Sequence, residues 1–252
     1  MYTIVADTIS EGHEKVVKLI AITQRVEDDV NLDGVVTEDL EATYESPEPV
    51  NIHVNYPLKD PVVSKASRFR ASAMQAYVDQ VLTPRPLKGD RDFSYLYSNL
   101  LFDHPIVVFN DGNRSNPTIL GGNGDSHGID QIAWIVEKLS KSMSSRRAVA
   151  SLFNPVLYEP SNDPPCLNHV QFMIRDGVLN MHALFRSNDM LSAWGANAYA
   201  LSKLQEMVAK SIAGNTGTDI PVGYMETTSI SAHIYYVRDA MELAEFRKLW
   251  LK

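Results

Sequence analysis

The single cysteine of the chain, Cys166, lies in the stretch NDPPCLNHVQF. Two prolines ahead of it make a rigid extended turn that ends as a strand-like run begins. A lone cysteine is usually a small buried hydrophobe. It becomes a nucleophile where nearby cations favour the thiolate, and arginines are on offer at Ser144-Ser145-Arg146-Arg147 and at Phe185-Arg186-Ser187. The chemistry open to this set is attack by a thiolate, provided that the fold brings the groups together.

The elements that must do so are visible in outline. Glu11 to Ile22 reads as a short amphipathic helix, and ATYE and VNIHVNY as strand pieces split by a Pro-containing turn. From Phe69 to Leu82, FRASAMQAYVDQVL has helical spacing, which TPRPLKG ends with two prolines. FSYLYSNLLF and PIVVFNDG are aromatic and β-branched. NRSNPTILGGNGDSHG is a long polar, Gly-rich loop, and loops of that length are usually functional or mobile. Residues 129 to 143 place Ile129, Ile132, Val136 and Leu139 on one helical face.

The second half is richer in strands. RRAVASLFNP, HVQFMIRDG and VLNMHALFR read as β, the last two joined at Arg175-Asp176-Gly177, where Asp-Gly suits a tight hairpin. A helix is expected from Asp189 to about Ala213 with Gly214 as its C-cap, followed by strand TTSISAHIYYV and an amphipathic helix AMELAEFRKLW. This order is α+β and not a strict βαβ repeat, which argues against a parallel doubly wound sheet.

With 252 residues, 44% of them hydrophobic and 21% charged, the chain can bury a substantial core, and one domain over 1–252 is the expectation. A formal charge of -8 argues against a general nucleic-acid binder. An anionic small ligand needs only a local cluster of Arg. Residues 27 to 49 are markedly acidic and read as a solvated surface. One cysteine excludes an internal disulfide, so an oxidising compartment offers this fold nothing. No run approaches the roughly 18 apolar residues of a membrane span, and the first 20 residues carry acids where a signal peptide is basic and then apolar. A soluble, cytoplasmic protein with no membrane partner is the expectation.

Several short motifs follow one another along the chain: Asp130-Gln131-Ile132, Ser145-Arg146-Arg147, Pro164-Pro165-Cys166 with Gln171-Phe172, Phe185-Arg186-Ser187-Asn188-Asp189, Asn197, and Ala232-His233-Ile234-Tyr235-Tyr236. Together they resemble the thymidylate synthase family over residues 129 to 238. FRSND, AWGANAYAL and AHIY are closest to its shorter archaeal-type and viral branch, which also resembles pyrimidine-nucleotide hydroxymethylases. The resemblance implies an α+β fold with a large mixed or antiparallel sheet and packed helices, and a homodimer formed through the sheet.

It also implies roles. Cys166 would add to C6 of a pyrimidine, Arg186 and Ser187 would hold the nucleotide phosphate, and Arg146 and Arg147 would reach that phosphate from the partner subunit. The planar, permanently charged guanidinium suits that task; the plainer alternative is a pair of surface arginines ending a helix. Asp189 and Asn197 match positions that meet the base, and His233 and Tyr235 those that hydrogen-bond the sugar hydroxyl. Asn at 197 suits uracil, because its amide can donate to O4 and accept from N3, whereas a related deoxycytidylate hydroxymethylase carries Asp there. Asp79 in AYVDQVL is the candidate for the carboxylate that organises water and protonates the base, although an Asp on an amphipathic helix ordinarily just faces solvent.

Three departures from the family pattern stand out: Leu167 in place of the His that commonly follows the cysteine, Ile230-Ser231 in place of Gly-Asp, and no recognisable folate lid. The shorter branch is similar in all three. The reaction implied is transfer of a one-carbon unit from 5,10-methylenetetrahydrofolate, or a related methylene-pterin, to C5 of dUMP, giving dTMP. The alternative is 5-hydroxymethylation of dUMP, dCMP or CMP through the same covalent adduct. A reading of another class, an inert relative that binds nucleotide or RNA, has no use for a nucleophile kept beside arginines.

Overall fold

A computed structural model describes residues 1–27, 42–88, 95–109, 117–158 and 161–250. Most of the acidic run, residues 28–41, lies outside them, as do residues 113–116 of the polar loop. Among the described residues seven helices and ten strands follow one another without a βαβ repeat. Eight strands share one sheet; its path starts at β1 (Tyr2–Ala6), β4 (Val50–Val54) and β10 (Val222–Tyr235) and continues through β9 (Val178–Asp189), β8 (Leu167–Arg175) and β7 (Val149–Ser151). β3 (Thr43–Glu45) pairs with the far end of β10, and β2 (Arg25–Glu27) with β3. β1 runs parallel to β4, whereas β4 and β3 run antiparallel to β10 and β7 antiparallel to β8, so the sheet is mixed, as expected. No helix among the described residues is long and apolar enough to cross a membrane.

The chain divides into two compact units, Met1–Gln75 with His182–Lys203 and Gly223–Lys252, and Ala76–Met181 with Leu204–Val222. In the first, strand alternation sends Ile4, Ile52, Val54, Met225 and Thr227 to one buried face. Helix α1 (Ile9–Thr23) contributes Ile9, Val16, Val17 and Ile20 to the core. Thr8 caps α1 by accepting from the Glu11 amide at 3.2 Å, and the Glu11 carboxylate returns a bond to the Asp7 amide at 2.7 Å. The closing helix α7 (Ala240–Trp250) buries Leu243 and Phe246.

His13 on α1 is buried in this core. Its Nε2–H donates to the Leu191 carbonyl at 3.0 Å, and its ring meets Phe246 edge-on at 4.8 Å. Burial pushes the imidazole down to about 4, against the Leu191 and Met190 carbonyls and Asp189, which favour the cation. A depressed folded-state pKa means stability that is complete above the unfolded value of 6.5 and lost as pH falls towards 4. The loss over that window is roughly 3 kcal/mol. Urea titrations from pH 7.5 down to 4.5 check this: the wild type loses its midpoint steeply, and His13→Gln, which keeps an N–H donor but does not titrate, has a shallower slope. Parallel slopes would remove His13 as the cause.

In the second unit, helix α4 (Gln131–Lys141) starts after Asp130, whose carboxylate accepts from the Ala133 amide at 2.8 Å. Its buried face is Ile132, Ile135 and Leu139, not the face through Ile129 expected from spacing. Ile129 precedes the cap, bridges to His104 and is 50% exposed. Within the aromatic stretch, Tyr97–Phe102 forms helix α3, with Leu100 and Leu101 buried, and Ile106–Val108 forms β5, paired with β6 (Thr118–Leu120). The hairpin falls where Asp-Gly predicts it, with Asp176 at φ 52° and Gly177 at φ 78°.

Helix α6 (Trp194–Thr216) differs from expectation at both ends. It begins after a turn, because Asp189 is the last residue of β9, and it runs through Gly214. The terminating glycine is Gly217, at φ 68°, whose amide donates to the Ala213 carbonyl at 2.8 Å.

Candidate active site

Cys166 is half-buried and directly precedes β8. Its backbone N–H donates to the Tyr95 hydroxyl, and the next amide, that of Leu167, to the Tyr97 hydroxyl, both at 3.2 Å. The two tyrosines can do this because Leu96 between them is extended and buried, which leaves its neighbours on the same side of the chain. Asn168 Nδ2 donates to the Pro165 carbonyl at 2.8 Å and secures the Pro-Pro turn. The backbone of Cys166 is therefore held from both sides.

A chain of rings leads away from this turn. Tyr95 packs near Tyr97, and Tyr158, from helix α5 (Pro155–Tyr158), meets Tyr95 edge-on at 6.4 Å and Phe153 at 6.0 Å. Burial pushes the phenols of Tyr77, Tyr95 and Tyr97 above their ordinary range, with the Cys166 thiol adding to the effect, and takes Tyr158 to about 12. The phenols next to the thiol are consequently neutral hydroxyls, and the Asp163 carboxylate stands close enough to add to the effect on Tyr95 and Tyr158. Arg146 and Arg147 lie between α4 and β7 with exposed side chains; the Arg146 carbonyl accepts from Gln171 Nε2 at 3.0 Å, and the Arg147 amide donates to Ser145 Oγ at 3.2 Å. Asp79 is exposed on helix α2 (Ala71–Leu82), which buries Met74, Val78 and Val81.

The other predicted residues gather in the first unit. Along β10 the odd-numbered Met225, Thr227 and Ser229 are buried, but beyond Ile230 it is Ala232 and Ile234. This change of phase at Ile230-Ser231 moves His233 and Tyr235 to the half-exposed side of the strand. There, His233 Nδ1 lies 3.5 Å from Ser187 Oγ, next to Arg186 on β9, and its ring meets Tyr235 edge-on at 5.1 Å. Burial holds the His233 imidazole below its usual pKa, against Asp189 and Glu45, so it is neutral at neutral pH.

Asp189 uses one carboxylate oxygen to accept from the Leu191 and Ser192 amides, at 3.0 and 2.9 Å, and pairs the other with Arg238 at 2.5 Å. This pins the turn between β9 and α6. Asn197, buried in the first turn of α6, donates from Nδ2 to Asn188 Oδ1 at 3.4 Å, and Asn188 Nδ2 donates to Ser229 Oγ at 3.3 Å. The amide of Asn197 therefore has an orientation set by its neighbours. Sequence reasoning gave Asn188 no role of its own and missed Arg238 and the tyrosine pair. The pair had a signal, the Tyr-Leu-Tyr spacing in an aromatic stretch, and Arg238 stood two residues beyond the AHIYY motif.

The family model described as thymidylate synthase matches residues 88–245. A Methanosarcina barkeri protein named "Putative thymidylate synthase" is 44% identical over 110 residues, 43% of this chain and 48% of the relative. One of the same name from Methanocaldococcus jannaschii is 39% identical over 165 residues, 62% and 63% of the two chains, and one from Methanopyrus kandleri is 32% identical over 190 residues, 75% and 70%. The chain spans about half the length of the first of these relatives and less than two thirds of the second.

Proposed function

Because the chain belongs to the thymidylate synthase family, we propose that it transfers a one-carbon unit to C5 of dUMP, giving dTMP, with Cys166 as the nucleophile. The observation that supports the reading is the setting of Cys166: a half-buried thiol at the start of β8, in a turn whose backbone amides are held by two tyrosine hydroxyls. A thiolate there adds to C6 of the pyrimidine and pushes the electron pair towards C5, which becomes the carbon nucleophile. Loss of the C5 proton to a base and departure of the thiolate from C6 then restore the ring double bond and free Cys166.

Arg186 and Ser187 grip the phosphate, His233 and Tyr235 the sugar hydroxyl, and Asn197 the base. Arg146 and Arg147 are exposed, as groups serving a neighbouring subunit's ligand would be, and we take the active unit to be a homodimer through the sheet, each chain a single catalytic domain over 1–252. Asp79 is our candidate for the carboxylate that organises solvent for proton transfer. Tyr95, which meets the Cys166 amide, packs against Tyr158, and Tyr158 against Phe153; these rings suit a flat pterin and would hold the donor. When bound, 5,10-methylenetetrahydrofolate supplies the one-carbon unit and the hydride that reduces it to methyl.

Incubation with dUMP, dCMP or CMP and methylene-folate, followed by product mass, tests the proposal: a methylated uracil nucleotide supports it, and a hydroxymethyl product replaces it with the hydroxymethylase reading. Base choice is tested at Asn197. Its Nδ2 donates to Asn188, so the amide is not free to flip for cytosine without losing that bond. Asn197→Asp shifts the ratio of kcat/KM from dUMP towards dCMP by about tenfold to a hundredfold, the effect of unpairing one buried polar group. An unchanged ratio would show that Asn197 does not read the base.

A further inference from the structure

The proposed site leaves Arg238 without a task. This residue follows Tyr235 by three, in the turn before α7, and its guanidinium lies 4.0 Å from the centroid of the Tyr235 ring. Its Nη2 is 2.5 Å from Asp189 Oδ2, and Nε and Nη2 donate to Asp239 Oδ2 at 3.0 and 2.5 Å. Asp239 is buried and has other anchors, Ser192 Oγ at 2.7 Å and Arg68 Nη1 at 3.1 Å. Arg68 in turn engages Glu242 on α7, through Nε at 3.3 Å and its backbone amide at 2.8 Å. Arg68 thus ties Asp239 to Glu242 on α7, whereas two of the three partners of Arg238 are residues of the nucleotide site.

An exposed ion pair is normally worth little. A planar cation laid on a ring face and forked between a buried and a half-buried carboxylate is a different object, because its orientation is dictated on three sides. We infer that Arg238 is a positioning residue for the nucleotide site: it fixes the ring of Tyr235 and neutralises Asp189, so that the sugar-binding pair meets an anionic nucleotide in a neutral setting. The inference rests on the proposed role of His233 and Tyr235.

Loss of the guanidinium has three consequences. The Tyr235 ring loses the partner on its face. The Asp189 carboxylate, three residues from Arg186 on the same strand, is left uncompensated and repels the phosphate. The balance at His233 also changes. The charged and titratable groups that face it are Asp189 at the end of β9, Glu45, its register partner on β3, the Tyr235 ring, and Arg238. Both carboxylates favour the imidazolium, and burial and Arg238 oppose it. Without Arg238, His233 titrates at higher pH.

The experiment uses the full chain, dUMP as the probe, and three variants: Arg238→Gln, Arg238→Lys and Arg68→Gln. Steady-state kinetics give KM and kcat, and the imidazole C–H proton resonance gives the His233 titration. In Arg238→Gln, KM for dUMP rises on the order of tenfold, with kcat changed less, and His233 titrates higher than in the wild type. Arg238→Lys keeps the charge but not the planar face, so it restores the His233 titration and only part of KM. Arg68→Gln, which perturbs the same Asp239, lowers Tm and moves neither. Unchanged KM and titration in Arg238→Gln, or the same KM rise in Arg68→Gln, would overturn the inference. If Arg238→Gln does not fold, Arg238→Lys decides, and a wild-type KM in it overturns the inference. A wild type that neither binds nor converts dUMP refutes the proposed substrate instead, and the His233 titration then tests the positioning role by itself.

Discussion

Cys166→Ala lowers turnover of dUMP by roughly 10^4-fold or more, the scale on which losing a covalent nucleophile acts. Nucleotide affinity changes by no more than about threefold, because the thiol forms the bond whereas arginines and hydrogen-bonding groups supply the binding. The split follows from where Cys166 stands. Its backbone is held by Tyr95 and by the Asn168–Pro165 bond, neither of which involves the thiol, so alanine leaves the turn in place. Cys166→Ser behaves alike, since a hydroxyl of high pKa offers almost no anion at neutral pH. Single-turnover rates and calorimetric dUMP titration of the same preparation check both halves. A Cys166→Ala protein that turns over within tenfold of the wild type would end the nucleophile assignment.

Activity lost in two separate variants returns when they are mixed. If the phosphate is gripped by Arg146 and Arg147 of the partner subunit, an Arg147→Ala chain paired with a Cys166→Ala chain has one site lacking both groups and one lacking neither. After full exchange half of the dimers are mixed, and each carries one complete site of its two, so recovery approaches about a quarter of wild-type activity. Both side chains are exposed, and their segment is held through backbone groups, the Arg146 carbonyl and the Arg147 amide and carbonyl, which leaves the guanidinium groups available to such a ligand. The measurement is dUMP turnover before and after subunit exchange, with mixed dimers verified by mass. Verified exchange without recovery would rule out shared sites.

How much of this was legible in the sequence depends on the range of each interaction. Helices α1, α2, α4 and α7 were readable in outline because their cause is local: apolar spacing, and for α2 the prolines after Leu82; the caps Thr8 and Asp130 came only from the structure. The Asp176-Gly177 hairpin was equally plain, since positive φ at two successive residues selects those types. Cys166, the arginines, Asn197, His233 and Tyr235 could be nominated as candidates because residue types in a fixed order resemble a family's pattern.

Boundaries and partners were not legible. Asp189 looked like a helix start until β9 claimed it, and Gly214 like a stop until packing carried α6 on to Gly217. The half-buried side of β10 changes phase at Ile230-Ser231, and only pairing with its neighbour strands reveals it. The tyrosine that holds Cys166 is 71 residues away in the chain, and the aspartate that Arg238 neutralises is 49 residues away. Sequence alone determined which groups could do chemistry, since that is a property of residue type. Which groups support them was decided by tertiary structure, because a hydrogen bond or an ion pair depends on distance in space, and a folded chain sets that distance independently of separation in sequence.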